Sequence, residues 1–139
     1  SLGLVGSEMC IRDSVFINAG HESILTFDQN KNYEYIKSEM PPVGIVKYFT
    51  ESMVKSSTMN LKDKTLVVYT DGVTEGYLKN GEELGAEGVQ KIIDNLSEVT
   101  PKSIVESIEK DLNWGAEKLR DDITCMAINI NNTELIKKK

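Results

Sequence analysis

The stretch Thr65-Leu66-Val67-Val68-Tyr69-Thr70-Asp71-Gly72 decides the fold. Its first six residues are apolar or β-branched at nearly every position, the composition of a strand expected to be buried on both faces. Asp71 follows at once, so a carboxylate stands at the end of a rigid element. Gly72 has no Cβ and lets a metal or substrate come close to the backbone. Glu75 lies four positions after Asp71, and a single turn between them would bring it back towards Asp71.

Upstream of this strand the chain reads as β-structure. Residues 14–19 (SVFINA) are β-branched and aromatic, and Gly20 and His21 break the run. Residues 23–27 (SILTF) and 33–36 flank a polar cluster at 28–32, the pattern of a hairpin with a longer loop. Pro41 and Pro42 end it, because neither can donate to a ladder. Residues 43–60 are loop-rich, with 46–49 as a further candidate strand.

Downstream, Gly85 precedes a helix whose Val89, Ile92, Ile93 and Leu96 recur at helical spacing. Thr100 followed by Pro101 reads as an N-cap and first helical position. That second helix presents Ile104, Val105, Ile108 and Leu112, with Gly115 as a stop and Trp114 as a core residue near its end. Residues 123–130 (ITCMAINI) form a closing strand. The order is not a βαβ alternation. It predicts an α+β fold, with antiparallel sheets and helices on an outer face. Both helices should pack on the sheet that holds residues 65–70 and 123–130.

Bulk properties narrow the function. The chain has 139 residues, 40% hydrophobic and 27% charged, as in a globular domain. Its net charge of −6 disfavours nucleic acid, and the one basic run, residues 137–139, reads as a solvated tail. No stretch has the apolar length of a membrane span, so no membrane contact is expected from this segment. Two cysteines, Cys10 and Cys125, make no disulfide framework, and a reducing cytoplasm fits. A single histidine argues against zinc. Any metal would be held by oxygen ligands, which points to magnesium, manganese or calcium.

Besides Asp71 and Glu75, the acidic candidates are Asp121 and Asp122, just before the last strand. Adjacent buried carboxylates repel, and a divalent cation removes that cost. The same pair also reads as an exposed loop beside Arg120, or as a turn bonding its own backbone. His21 reads either as a general acid or, more simply, as a residue bonding a backbone group.

Four blocks in order resemble the SpoIIE-like branch of the type-2C (PPM-type) protein phosphatases. They are Ile17-Asn18-Ala19-Gly20-His21, Pro42-Val43-Gly44-Ile45, Tyr69-Thr70-Asp71-Gly72-Val73-Thr74-Glu75 and Asp121-Asp122-Ile123-Thr124. Asn80-Gly81-Glu82-Glu83-Leu84-Gly85 also fits the family pattern. The resemblance implies an α-β-β-α sandwich of antiparallel sheets with outer helices. It implies hydrolysis of phosphoserine or phosphothreonine with two Mn2+ or Mg2+ ions, and water rather than a side chain as nucleophile. In this branch the substrates are often anti-sigma-factor antagonists of bacterial regulatory pathways. Carried over by position, Asp71 and Asp121 match metal aspartates, Asp122 stands beside the second, and Glu75 matches an acidic position serving a further metal or its surroundings. The ligand pair Asp71 and Asp121 should therefore lie close in space.

One departure accompanies these matches. The family carries an earlier aspartate-glycine element bridging the two metals, and nothing upstream of Ser14 supplies it. Residues 1–13 resemble translated adapter sequence and read as a non-native or disordered leader. Residues 14–132 read as the C-terminal part of a PPM-type domain, and residues 133–139 as a basic tail. The expectation is a cytoplasmic fragment, inactive alone, whose parent could be membrane-tethered through other regions. The competing reading is a catalytically dead, phosphatase-like binding or scaffold module.

Overall fold

The computed structural model describes residues 13–113 and 122–129. The chain divides into two compact units, one running to Thr65 and taking in Asn129, the other spanning Leu66 to Ile128.

The first unit is β-structure. Strand β1 (Asp13–Phe16) pairs antiparallel with β4 (Ser57–Asn60), with Asp13 opposite Asn60 and Phe16 opposite Ser57. Strands β2 (Ile24–Asp28) and β3 (Tyr33–Ile36) form the expected antiparallel hairpin, Phe27 opposite Tyr33. Their rings lie 5.2 Å apart in a tilted arrangement, within the range where aromatic pairs attract. Asp28 organises the turn. Its carboxylate accepts from the backbone N–H of Asn30 and Asn32 and from the Asn32 side chain. Leu25, Phe27, Met40 and Leu61 are buried in this unit, together with Thr26. The Thr26 hydroxyl has no hydrogen-bond partner.

The second unit holds most of strand β5 (Lys64–Tyr69), three helices and most of strand β6 (Cys125–Asn129). β6 neighbours β5. Thr70 bonds Thr124, and Thr65 bonds Asn129 five residues back, so the two strands run antiparallel. Along β5 burial alternates. Thr65, Val67 and Tyr69 are buried, while Leu66 and Val68 are only partly covered. The expectation of burial on both faces is therefore corrected to one fully buried face, the period-two pattern of a half-covered strand.

Helix α1 (Asp71–Thr74) is a single turn. Helix α2 (Gly85–Asp94) buries Val89, Ile92 and Ile93 as the spacing predicts, and Leu96 falls beyond its end. Helix α3 (Pro101–Asp111) starts where the sequence says. The Thr100 side chain accepts from the Ser103 N–H, and the Ser103 hydroxyl accepts from the Thr100 N–H, a reciprocal capping box worth roughly 0.5–2 kcal/mol. Ile104, Ile108 and Leu112 are buried. The helix ends at Asp111, with Leu112 already extended. Gly115 and Trp114 lie outside the described residues.

Two further expectations are corrected. Residues 46–49 are not a strand but bends and coil. They follow Gly44 at φ +94°, and Ile45, Tyr48 and Phe49 are exposed, so no strand or core among the described residues holds the run extended. The strand is instead β4, a polar segment (STMN) that gains its form from pairing with β1.

Candidate metal centre

The centre starts from the end of β5. Thr70 is extended, at φ −80° and ψ 161°, and hands the chain to the α1 turn. Asp71 opens that turn and is exposed, while Gly72 and Val73 behind it are buried. One carboxylate oxygen of Asp71 accepts from the Gly72 N–H at 2.9 Å. The Asp71 carbonyl accepts from the Glu75 N–H at 2.8 Å and from the Thr74 hydroxyl at 3.1 Å. The fold-back of Glu75 is thus made by backbone, with its side chain exposed. Gly76 fixes the far end of the turn, since a Cβ there would meet Leu112 Cδ2 at 2.6 Å. Leu112, just past the end of α3, therefore presses directly on this loop.

The residues before β6 come to the same place. The Thr70 N–H donates to the Thr124 carbonyl at 3.0 Å. The Thr70 hydroxyl donates to the Asp122 carbonyl at 2.9 Å and accepts from the Thr124 N–H at 3.0 Å. Asp71 and Asp122 are 51 positions apart in sequence (122 − 71), yet both flank this junction. Asp122 is exposed. Asp121, the other expected ligand, lies outside the described residues.

Asp71 and Asp122, the exposed carboxylates beside this junction, offer oxygen donors, which suit a hard cation such as Mg2+ or Mn2+. Among the described residues no three His, Cys, Asp or Glu side chains gather into a metal-holding group. The described side chains thus match such a cation in kind but do not by themselves make up its shell. Burial pushes the Cys125 thiol up to about 11, so it is protonated near neutral pH and is no nucleophile there.

In the first unit the sequence blocks around His21 and Pro42 form one loop knot. The His21 ring Nδ1 lies 3.3 Å from the Glu22 carbonyl, the backbone-bonding alternative for this residue. Asn18, mostly buried, donates to the Glu22 carbonyl and accepts from the His21 N–H. Ser38 accepts from the Gly20 N–H and lies within hydrogen-bond reach of the Asn18 and Met40 carbonyls. Sequence reading missed Asn18 and Ser38 as organisers. The only local signal is the asparagine two residues before a glycine, since Ser38 acts across twenty positions.

The antiparallel sheets and helices of this α+β chain resemble the fold of a PP2C-type phosphatase domain. The chain belongs to the SpoIIE family, whose model, described as Stage II sporulation protein E, matches residues 10–131. Solved structures are similar to this chain, three of them as follows. The SiaA-PP2C domain of Pseudomonas aeruginosa has 18% identity and a TM-score of 0.61, covering 86% of this chain and 47% of that one. The SpoIIE phosphatase domain of Bacillus subtilis (Mn presoaked) has 18% identity and a TM-score of 0.55, covering 91% and 63%. The RsbU and RsbW domains of Rv1364c from Mycobacterium tuberculosis give 16% and 0.60, covering 83% and 32%. At these identities the likeness is one of fold. The chain spans less than two thirds of each of these three proteins. No curated protein sequence matches it.

Proposed function

We propose that the parent protein is a metal-dependent phosphoserine/phosphothreonine phosphatase of a bacterial regulatory pathway, and that this chain contributes one edge of its metal centre. Asp71 and Asp121 would be the ligands on this edge, with Asp122 beside them and Glu75 in support. The observation that carries the reading is the three-bond junction of Thr70 with residues 122 and 124. It ties the backbone next to Asp71 to the backbone of Asp122 and Thr124.

Bound Mn2+ or Mg2+ would neutralise phosphoryl oxygens and lower the pKa of water. The chain's own part is to hold carboxylates rigidly. A strand end, a one-turn helix and a buried glycine leave the Asp71 backbone little freedom. The substrate class in this reading is a phosphorylated regulatory protein, such as an anti-sigma-factor antagonist, met in the cytoplasm. The chain alone is expected to be inactive, because its described carboxylates do not by themselves make up a metal shell.

The test is hydrolysis of a phosphoserine peptide and of an aryl phosphate in millimolar Mn2+. This chain should show no turnover. A longer chain carrying an upstream aspartate-glycine block should turn over, and Asp71→Asn in it should lower kcat/KM by roughly 10²–10³-fold, the scale of one preorganised electrostatic group. Undiminished turnover in the longer Asp71→Asn chain would remove Asp71 from the site. A longer chain that binds the phosphoprotein without hydrolysing it would favour a binding module.

A further inference from the structure

Thr70 stands at the N-cap position of α1, where a threonine side chain ordinarily accepts from an amide of the first turn. It makes no such bond. Thr100, at the equivalent place on α3, does cap its helix. The Thr70 hydroxyl instead reaches across to the Asp122 carbonyl and the Thr124 N–H, using its one proton as donor and a lone pair as acceptor. Local helix chemistry does not account for this choice, because the α1 turn is left without its side-chain cap.

We propose that Thr70 is a positioning residue for the acidic edge. Its hydroxyl latches residues 122–124 to the start of the Asp71 turn and so sets the spacing between Asp71 and Asp122. The inference rests on the reading of this edge as a cation site. Of the three bonds at the junction, two need the hydroxyl, and only the Thr70 N–H to Thr124 carbonyl bond would survive its removal. Valine matches threonine in shape but can neither donate nor accept. Serine keeps the hydroxyl.

The experiment uses the longer chain carrying the upstream aspartate-glycine block, with Mn2+ itself as probe. Paramagnetic broadening of the Gly72 and Thr124 amide resonances is followed through a Mn2+ titration, and hydrogen exchange of the Thr124 amide is measured without metal. In the natural sequence both resonances should broaden over the same Mn2+ range. Thr70→Val should shift that range upward by about tenfold or more, as losing a partner that orients a ligand usually does. It should also speed exchange at Thr124. Thr70→Ser should restore both, and the α2 and α3 amides report that each variant is folded. If Thr70→Val titrates like the natural sequence while Asp71→Asn does not, the latch is overturned and the cation site stands. If Asp71→Asn also leaves the titration unchanged, or no broadening occurs, the cation site and the latch fall together.

Discussion

The ring of Pro42 occupies the space where a Cβ on Gly20 would stand, with Pro42 N only 2.6 Å from that point. Gly20 also sits at φ +76°, which side-chain-bearing residues rarely adopt. Both costs act against any substitution, and the Gly20 N–H is committed to Ser38. Gly20→Ala should therefore destabilise the chain by roughly 1–3 kcal/mol from backbone strain, with the clash adding to it. Urea unfolding followed by circular dichroism measures this. An unchanged midpoint would mean that the knot opens freely.

Thr26 offers the opposite case. It is fully buried and its hydroxyl lacks a partner. An unsatisfied buried hydroxyl carries its desolvation cost without compensation. Thr26→Val keeps the branched shape and should raise stability by roughly 1–2 kcal/mol. A lowered urea midpoint would show that the hydroxyl is in fact satisfied.

Asp28 links the hairpin turn to pH. Hydrogen bonds from the Asn32 side chain and backbone, and from the Asn30 backbone, hold its carboxyl below its ordinary value of 3.8. The folded state thus binds this proton less readily than the unfolded one. The stabilisation is complete above the ordinary value and is lost as pH falls through the lower folded value. Asp28→Ala should unfold at a lower temperature than the natural chain at pH 7, and the gap should shrink as pH drops below 3.8. A gap independent of pH would show that the turn does not depend on the charge.

The parts of the fold and site that could be read in advance are those with a local signal. TLVVYT announces β5 by composition, and Thr100-Pro101 announces α3 by capping chemistry. β4 could not be read because Ser57, Thr58 and Asn60 carry no apolar alternation, and only the partner strand makes them extended. The run at 46–49 misled for the mirrored reason, since its residues suit a strand and none pairs with them. At the candidate site, the place of Asp71 at the end of β5 was legible from the composition of the strand before it. The role of Thr70 was not, because its partners lie 52 and 54 positions away. A hydroxyl serving such distant partners looks like any other threonine in the sequence.

The register of β1 on β4 also imposes an order of events on the folding chain. Its partners are separated by 47 residues at one end (60 − 13) and 41 at the other (57 − 16). In the β2–β3 hairpin the separations are 12 (36 − 24) and 6 (33 − 27). Closure entropy grows as (3/2)RT ln n, so closing 41 residues costs roughly 1.5–2 kcal/mol more than closing 6. The hairpin should form first, and once formed it shortens the loop that β1 must close. Within the first unit, β1 and β4 therefore join after the hairpin and part before it. Pulse-labelling hydrogen exchange during refolding should protect Leu25 and Thr26 before Val15 and Thr58. Simultaneous protection of all four would mean that the first unit assembles in one step.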